Sequence, residues 1–349
     1  MKTFVLTVEL ELFFGSDSGT VENSLVRPMR KLLDIIQSRE MKITVFWDVM
    51  HYYRLCQLAP EVPDLALDKE LIENQIRQLV EQGHDIQMHL HPHWLDASWD
   101  GYKWIFDYKR YTIQSLEKRE DPTDPNTILG CVTVARQTIE NLCKEVDPSY
   151  KLRAFRAGSN STIPFDTLGE ALRNNHIFID SSAAKGLLRS NSLAPVDYTW
   201  MPDIQYYPFG ESPIMFDSNG EFWEFPIETV PFPFYTRFFF GFLEKFKYFD
   251  SGRYGDGRGL GEKYAKPKKG LLQYFRTKNR KLTPEECLPE EWTYMLAKAR
   301  DLSVAVLQPK NMGPLSFSML EESIEKEQIS FISLKQRIEQ LGIADASVE

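Results

Sequence analysis

Short runs of apolar residues alternate along the chain with longer segments whose apolar positions recur every three or four residues. The runs are typical of buried strands, and the longer segments are typical of helices that pack on a sheet. The pattern predicts strands at 4–14, 43–47, 85–89, 154–157, 177–180, 222–226, 303–307 and 329–332. It predicts helices at 23–39, 65–82, 127–145 and 165–175, and a last helix that ends at Leu341. This alternation predicts parallel β/α units and an α/β fold, either a barrel or a doubly wound sheet.

An elaboration at about 231–290 interrupts this pattern before the last β/α units. Within it, residues 237–281 hold 13 Lys and Arg against 4 Asp and Glu, so they carry +9 and the other 304 residues carry −18. Many aromatic residues and six glycines between 241 and 261 accompany the charge, and the glycines match no phosphate-binding loop. We expect this basic, aromatic segment to form a lid, a surface that binds an anionic glycan or a lipid-linked pyrophosphate, or a contact between subunits of an oligomer.

Composition narrows the class of protein. A chain of 349 residues that is 42% hydrophobic and 26% charged is typical of a globular protein, and we predict a single domain over 1–349. No apolar run approaches the roughly 20 residues that span a bilayer, and Glu9 and Glu11 break the first one. Four cysteines without CxxC spacing favour a reducing cytoplasm. The net charge of −9 argues against nucleic acid as a partner.

Four of the six histidines lie within the ten residues from His84 to His93. Histidine is the commonest neutral metal ligand near pH 7, and this cluster follows a predicted strand, where the active sites of α/β proteins gather. If the chain becomes helical after His89, then His89 and His93 share one face and can bind one metal ion. Glu9 and Glu11 lie on one face of the first strand, since side chains alternate there, and either could supply an oxygen ligand.

These motifs resemble those of the polysaccharide deacetylases, the NodB-like carbohydrate esterase family 4, in the form found in bacterial surface-polysaccharide enzymes. The similarity rests on an acidic strand end, a Gly-His-Asp-Ile segment before His-Leu-His-Pro-His, Phe-Arg-Ala-Gly, Asp-Ser-Ser and Glu-Phe-Pro-Ile, and it covers roughly 2–230 and 300–340. It implies an irregular (β/α)7 barrel and hydrolysis of an N-acetyl group from a sugar or polysaccharide precursor. A divalent metal ion is implied too, zinc first, with iron, cobalt, nickel or manganese as alternatives.

The resemblance also implies roles for individual residues. Glu11, His89 and His93 would be the metal ligands, Glu9 the general base and Arg156 its charged partner. Asp180 is a candidate catalytic residue at a strand end. The candidates for substrate contact are Asp48, His91, Trp94, Ser159, whose backbone N–H could stabilise an oxyanion, and Gln308.

Two departures from the family pattern bear on activity. Glu9 and Glu11 replace aspartates, which moves the carboxylate oxygens by about 1 Å, and such a shift can cost on the order of 100-fold in rate. Gln308 aligns with the histidine that protonates the leaving amine, and glutamine cannot act as an acid; such a group contributes about 100- to 10,000-fold. His91, His51 or Asp180 could supply the proton instead.

The sequence therefore predicts a cytoplasmic, metal-dependent hydrolase, peripheral to the inner face of the membrane through contacts of 237–281, with an N-acetylated sugar or a lipid-linked glycan as substrate. Two alternatives remain open: a carbohydrate-binding relative that is weakly active or inactive because of Gln308, and an amidohydrolase that acts on a small amide.

Overall fold

The computed structural model describes residues 1–246, 252–260 and 276–343. The strands in these residues are β1 (Lys2–Leu10), β2 (Thr44–Asp48), β3 (Asp85–Leu90), β4 (Ser98–Trp99), β5 (Trp104–Ile105), β6 (Ala154–Ala157), β7 (Ile179–Asp180), β8 (Leu188–Arg189), β9 (Val196–Asp197), β10 (Tyr207–Phe209), β11 (Phe222–Glu224), β12 (Thr229–Phe232), β13 (Lys278–Lys281), β14 (Val304–Leu307) and β15 (Ile329–Ile332). The α-helices are α1 (Arg27–Gln37), α2 (Val49–Leu58), α3 (Pro63–Glu81), α4 (Ile128–Lys144), α5 (Asp166–Asn174), α6 (Phe234–Phe246), α7 (Pro289–Lys298), α8 (Pro314–Glu325) and α9 (Leu334–Leu341).

The main sheet runs in the order β10-β11-β7-β6-β3-β2-β1-β14, and β15 pairs with the first half of β1. All of its pairs are parallel except β10 with β11. The sheet curls until its two sides meet, because Ile227, just after β11, forms single parallel bridges with Val304 of β14 and with Ala184. Seven parallel strands therefore enclose an interior whose last side is closed only by bridges. The predicted irregular (β/α)7 barrel is confirmed.

Alternation of side chains along the strands separates the core into two layers. In β1, Phe4, Leu6 and Val8 belong to the large cluster that packs against the helices. The residues between them face inward, where Val5 joins a smaller buried cluster with Phe46 of β2. Further along β1 the inward positions become polar. The carboxyl end of the barrel therefore holds buried charge rather than apolar side chains.

Most predicted elements are present with shifted ends. The first strand stops at Leu10, so Glu11 lies just beyond it, and the first predicted helix begins with a π-helical turn at Glu22–Val26. Helix α2 escaped prediction because the segment Val49–Leu58 follows β2 without a turn and lacks a regular apolar stripe.

The single domain over 1–349 stays a prediction. No helix among the described residues is long and apolar enough to cross a membrane.

Part of the glycine-rich elaboration crosses the carboxyl end of the barrel. We call residues 252–260 the strap. At Gly255 and Gly257 an added Cβ would lie 2.4 Å from the Lys310 carbonyl oxygen and from the Phe13 ring, so these two positions require glycine. Asp256 fastens the strap to the start of the first helical segment, because its carboxylate accepts hydrogen bonds from Thr20, Asn23 and Ser24. The glycines that interrupt the sequence pattern thus allow close packing beside the site.

Candidate active site

Three nitrogen and oxygen donors converge at the carboxyl ends of β1 and β3. Glu11 Oε2 lies 3.1 Å from His89 Nε2 and 2.9 Å from His91 Nε2, and all three side chains are buried. Candidate ligand atoms of these residues lie within 4.8 Å of one another. Two imidazoles and one carboxylate are a common ligand set for zinc and other divalent metals. The described residues thus contain a candidate metal centre built from Glu11, His89 and His91.

The structure places His91, not His93, beside Glu11. The backbone stays extended through His91, so side chains alternate and His89 and His91 point to the same side. The chain enters a 3₁₀-helix only at Pro92–Asp96, too late for the helical spacing that would pair His89 with His93. His93 instead stacks on Tyr111, with ring centroids 5.2 Å apart. Burial and the neighbouring His91 hold the pKa of His93 well below its usual value.

The tautomer of His89 suits a metal ligand. Its Nδ1 lies 2.9 Å from the carbonyl oxygen of Arg156, to which it can only donate a proton. A carbonyl partner of this kind commonly orients histidines that bind metals. In neutral His89 the lone pair of Nε2 then faces Glu11 Oε2, an arrangement that a shared cation would stabilise. The donor set therefore fits a divalent metal ion.

The other carboxylate oxygen of Glu11 is held by two residues near the start of the short helix Pro309–Asn311. Lys310 Nζ lies 2.9 Å from Glu11 Oε1 and 2.7 Å from the Leu12 carbonyl oxygen, and Gln308 Nε2 lies 3.0 Å from Glu11 Oε1. Burial alone would raise the pKa of Glu11, but Lys310 and the histidines lower it well below its usual value. Glu11 is therefore an ionised carboxylate with Oε2 directed to the histidines.

Glu9 lies beside this centre and is held by charged and polar groups. Its Oε1 is 3.4 Å from Arg156 Nη1, and its Oε2 accepts a hydrogen bond of 2.6 Å from Gln308 Nε2. Burial opposes ionisation, but Lys281, Arg156 and His89 together hold the pKa of Glu9 below its usual value. A buried, ionised carboxylate next to a candidate metal centre can act as a general base.

Arg156 links Glu9 to a second buried acidic pair. Its guanidinium donates to Ser181, through Nε to the carbonyl oxygen at 2.7 Å and through Nη2 to Oγ at 2.8 Å. Asp180 and Glu224 lie opposite each other on β7 and β11, are at most 1% exposed, and both attract the charge of Arg156. Burial raises the pKa of Asp180 to about 6, and burial together with the charge of Asp180 raises the pKa of Glu224 well above its usual value. The structure therefore places Asp180 in a buried acidic pair with Glu224, and Arg156 interacts with this pair and with Glu9.

The remaining predicted residues surround the site. Asp48 Oδ2 accepts a 2.6 Å hydrogen bond from Trp94 Nε1, and burial raises the pKa of Asp48 to about 6. His51 stacks on Trp94 at 4.4 Å, and burial lowers its pKa to about 3, so it stays neutral. Ser159 has a φ of 55°, a strained conformation that often occurs at functional sites.

Sequence reasoning missed three ionisable residues at the site: Lys281, Glu285 and Lys310. Lys281 Nζ lies 2.9 Å from Asn160 Oδ1, and burial lowers the pKa of Lys281. Glu285 accepts a 2.5 Å hydrogen bond from the backbone N–H of Gln308, and burial raises its pKa to about 7. Lys310 carried a usable signal, because it follows the predicted site residue Gln308 by two positions after a strand. Lys281 and Glu285 lie in or after the elaboration, where no local pattern indicated proximity to β1.

Comparisons with known proteins give only weak similarity. No protein-family model matches the chain, and no curated protein matches it. A candidate polysaccharide deacetylase from Mycobacterium smegmatis has a TM-score of 0.46 and 11% identity over 98% of this chain and 90% of that chain. A family 4 acetyl xylan esterase from Clostridium thermocellum, solved with a cobalt ion, has a TM-score of 0.39 and 10% identity over 99% and 94%. A 4-alpha-glucanotransferase from Thermococcus litoralis has a TM-score of 0.47 and 13% identity over 97% of this chain but 40% of that chain. Because the TM-scores lie below 0.5, function has to be argued from the site itself.

Proposed function

We propose that the protein is a metal-dependent hydrolase that removes an N-acetyl group from a sugar or a polysaccharide precursor. One observation carries the proposal: Glu11, His89 and His91 converge on one point, beside a second carboxylate, Glu9, that is kept ionised. The motifs that resemble carbohydrate esterase family 4 agree with this chemistry. Zinc is the metal we favour, since two imidazoles and a carboxylate suit it.

The roles follow from the contacts of each residue. A divalent cation held by Glu11, His89 and His91 would polarise an acetamide carbonyl and make a water molecule more acidic. Glu9 would accept a proton from the attacking water, and Arg156 would keep its carboxylate oriented through the 3.4 Å contact. Trp94 and Asp48, joined by their hydrogen bond, would shape the wall of the site near the sugar.

The leaving amine needs a proton, which Gln308 cannot supply. We propose Glu285 for this step, because its carboxyl adjoins the backbone of Gln308 and has a pKa of about 7. A group with such a pKa is partly protonated at neutral pH and can donate. His51 is a poor donor because burial keeps it neutral, and Asp180 is engaged with Glu224.

We place the substrate in a surface-polysaccharide pathway at the inner face of the cell membrane, with lipid-linked glycans among the candidates. Two features support this placement: the net charge of +9 over residues 237–281, and cysteines that are free at all four positions.

One alternative has a specific observation in its favour. Lys310 and Gln308 already occupy Glu11 Oε1, so the chain could instead be a carbohydrate-binding relative that does not turn over.

Acetate release tests the proposal. The full-length protein would be loaded with Zn²⁺ or Co²⁺ and assayed on N-acetylhexosamines, chitooligosaccharides and small amides. We expect acetate from N-acetyl sugars, with loss of turnover in Glu9→Gln. Glu221→Gln, an exposed Glu paired with Arg173, serves as the control. Sugar binding without acetate release would establish the binding relative, and activity on small amides alone would establish the amidohydrolase.

A further inference from the structure

Helix α6 exposes a line of aromatic side chains. Phe240 and Thr236 face the core, at 6% and 7% exposed. The opposite side carries Phe234 and the residues one, four, five and eight positions after it, which all fall on one face of a helix. We call these residues the aromatic stripe, with their exposed fractions: Phe234 38%, Tyr235 73%, Phe238 67%, Phe239 55% and Phe242 52%.

Such a concentration of exposed rings indicates a binding surface. Single exposed apolar residues are normal on proteins, whereas a contiguous apolar patch marks a contact with a partner or a membrane. Elsewhere in the described residues, exposed aromatics such as Tyr102 and Trp200 lie far from α6 in the sequence, in separate loops. In the stripe, by contrast, neighbouring rings touch, with the Phe234 and Phe238 centroids 6.2 Å apart.

Positive charge adjoins the stripe. Strand β13 pairs with β12 so that Lys278 lies opposite Phe232, two residues before α6 begins. Arg237, within α6, donates a 2.7 Å hydrogen bond to the carbonyl oxygen of Arg276, whose side chain is exposed. Residues 237–281 carry +9, while the rest of the chain carries −18. Arg237, Arg276 and Lys278 thus place positive charge beside the stripe, which is complementary to an anionic surface.

The same hairpin connects the stripe to the candidate active site. Lys281, at the other end of β13, lies opposite Thr229, donates a hydrogen bond to Asn160 Oδ1 and attracts the charge of Glu9. Lys281 follows Lys278 by three positions along the strand, a distance of about 10 Å. A surface that binds the stripe would therefore lie close to the site.

We propose that α6 is an interfacial membrane anchor: the aromatic stripe inserts at the headgroup level of an anionic bilayer, and cations of the β12–β13 hairpin contact the lipid headgroups. Phe and Tyr on one face with basic residues nearby are typical of helices that lie in the plane of a membrane. With 13 residues, α6 is about 20 Å long, shorter than the roughly 30 Å hydrocarbon core. A dimer through the stripe is disfavoured, because a two-fold interface would bring Arg237, Arg276 and Lys278 of both copies together.

Vesicle co-sedimentation tests the anchor on the full chain. We expect binding to phosphatidylcholine vesicles that contain phosphatidylglycerol, weaker binding at high salt, and little binding to phosphatidylcholine alone. The variant Phe238→Ser/Phe239→Ser should reduce binding by at least about tenfold, since it removes apolar area from the interface. Serine and phenylalanine have similar helix propensity, so α6 should persist. The control Tyr102→Ser/Trp200→Ser removes two rings that are more exposed, at 83% and 87%, and should bind as the wild type does.

The proposal would be overturned by no binding to anionic vesicles, by equal binding of both double variants, or by a dimer that Phe238→Ser/Phe239→Ser dissociates. A drop in thermal stability of that variant well beyond that of the control would also overturn it, because the stripe would then pack against another part of this chain. The anchor does not depend on the proposed hydrolysis, so failure of the acetate assay leaves this test intact.

Discussion

The side-chain amide of Gln308 donates to both carboxylates of the site, at 2.6 Å to Glu9 Oε2 and 3.0 Å to Glu11 Oε1. Its own carbonyl oxygen accepts a 2.7 Å hydrogen bond from Asn311 Nδ2, which fixes the orientation of the amide. Gln308 thus sets the distance between the candidate base and the candidate metal ligand. Gln308 is therefore a positioning residue that favours the ionised form of both carboxylates.

Replacing Gln308 by Ala should raise the pKa of Glu9 and of Glu11, because each carboxylate loses a donor. The acidic limb of the pH profile for acetate release should therefore move to higher pH, and kcat should fall on the order of 10- to 100-fold through misplacement of the base. Gln308→His, which keeps an N–H donor near the carboxylates, should restore part of the rate. An acidic limb that stays in place in Gln308→Ala would contradict this positioning role.

Metal binding should distinguish His91 from His93. Removing a group that only hydrogen-bonds to a metal ligand typically lowers metal affinity roughly 10- to 100-fold. We expect His89→Ala and His91→Ala, which remove a ligand itself, to lower the affinity by at least as much. His93→Phe should keep metal, because a phenyl ring fits the surroundings of Tyr111 and Phe106. Titration of the metal-free protein with Zn²⁺ and metal analysis after gel filtration would measure both. Retention of metal by His91→Ala with loss by His93→Phe would restore the ligand set predicted from the sequence.

These two histidines show how far the sequence allows prediction. The alternation of strands and helices, and the face of the first strand that carries Glu9 and Glu11, follow from local periodicity, which one sequence displays directly, whereas the barrel is implied by the family resemblance. The position of His91 beside Glu11 would have followed from the alternation of side chains along a strand, if the predicted strand had continued past Leu90. Lys281 and Glu285 could not, because they reach β1 through a hairpin and a loop at long sequence separation. Such contacts depend on the closure of the barrel, which no local pattern encodes.

Removing the charge of Lys310 should destabilise the protein strongly. Lys310→Met leaves Glu11 Oε1 buried without its cation, and breaking a buried ion pair in this way costs about 3–5 kcal/mol. Lys326→Met provides a matched control. Lys326, at the C-terminal end of α8, forms an exposed ion pair with Glu322, and such a surface pair contributes about 0–1 kcal/mol. Urea denaturation of the metal-free proteins measures both free energies. Equal losses would mean that the Lys310–Glu11 pair contributes no more than a surface pair.

The buried pair of Asp180 and Glu224 should make stability depend on pH. Both carboxyls have raised pKa values in the folded state, about 6 for Asp180 against an ordinary 3.8. The folded protein therefore keeps protons on this pair that the unfolded chain has released, so the pair's contribution to stability is complete below about pH 4 and is lost as pH rises through about 6 and above. In Glu224→Gln an amide N–H replaces the shared proton, so the fall in melting temperature between pH 5 and about pH 8 should become shallower. Glu221→Gln, at an exposed pair with Arg173, should keep the wild-type slope. Parallel curves for all three proteins would show that Asp180 and Glu224 do not share a proton.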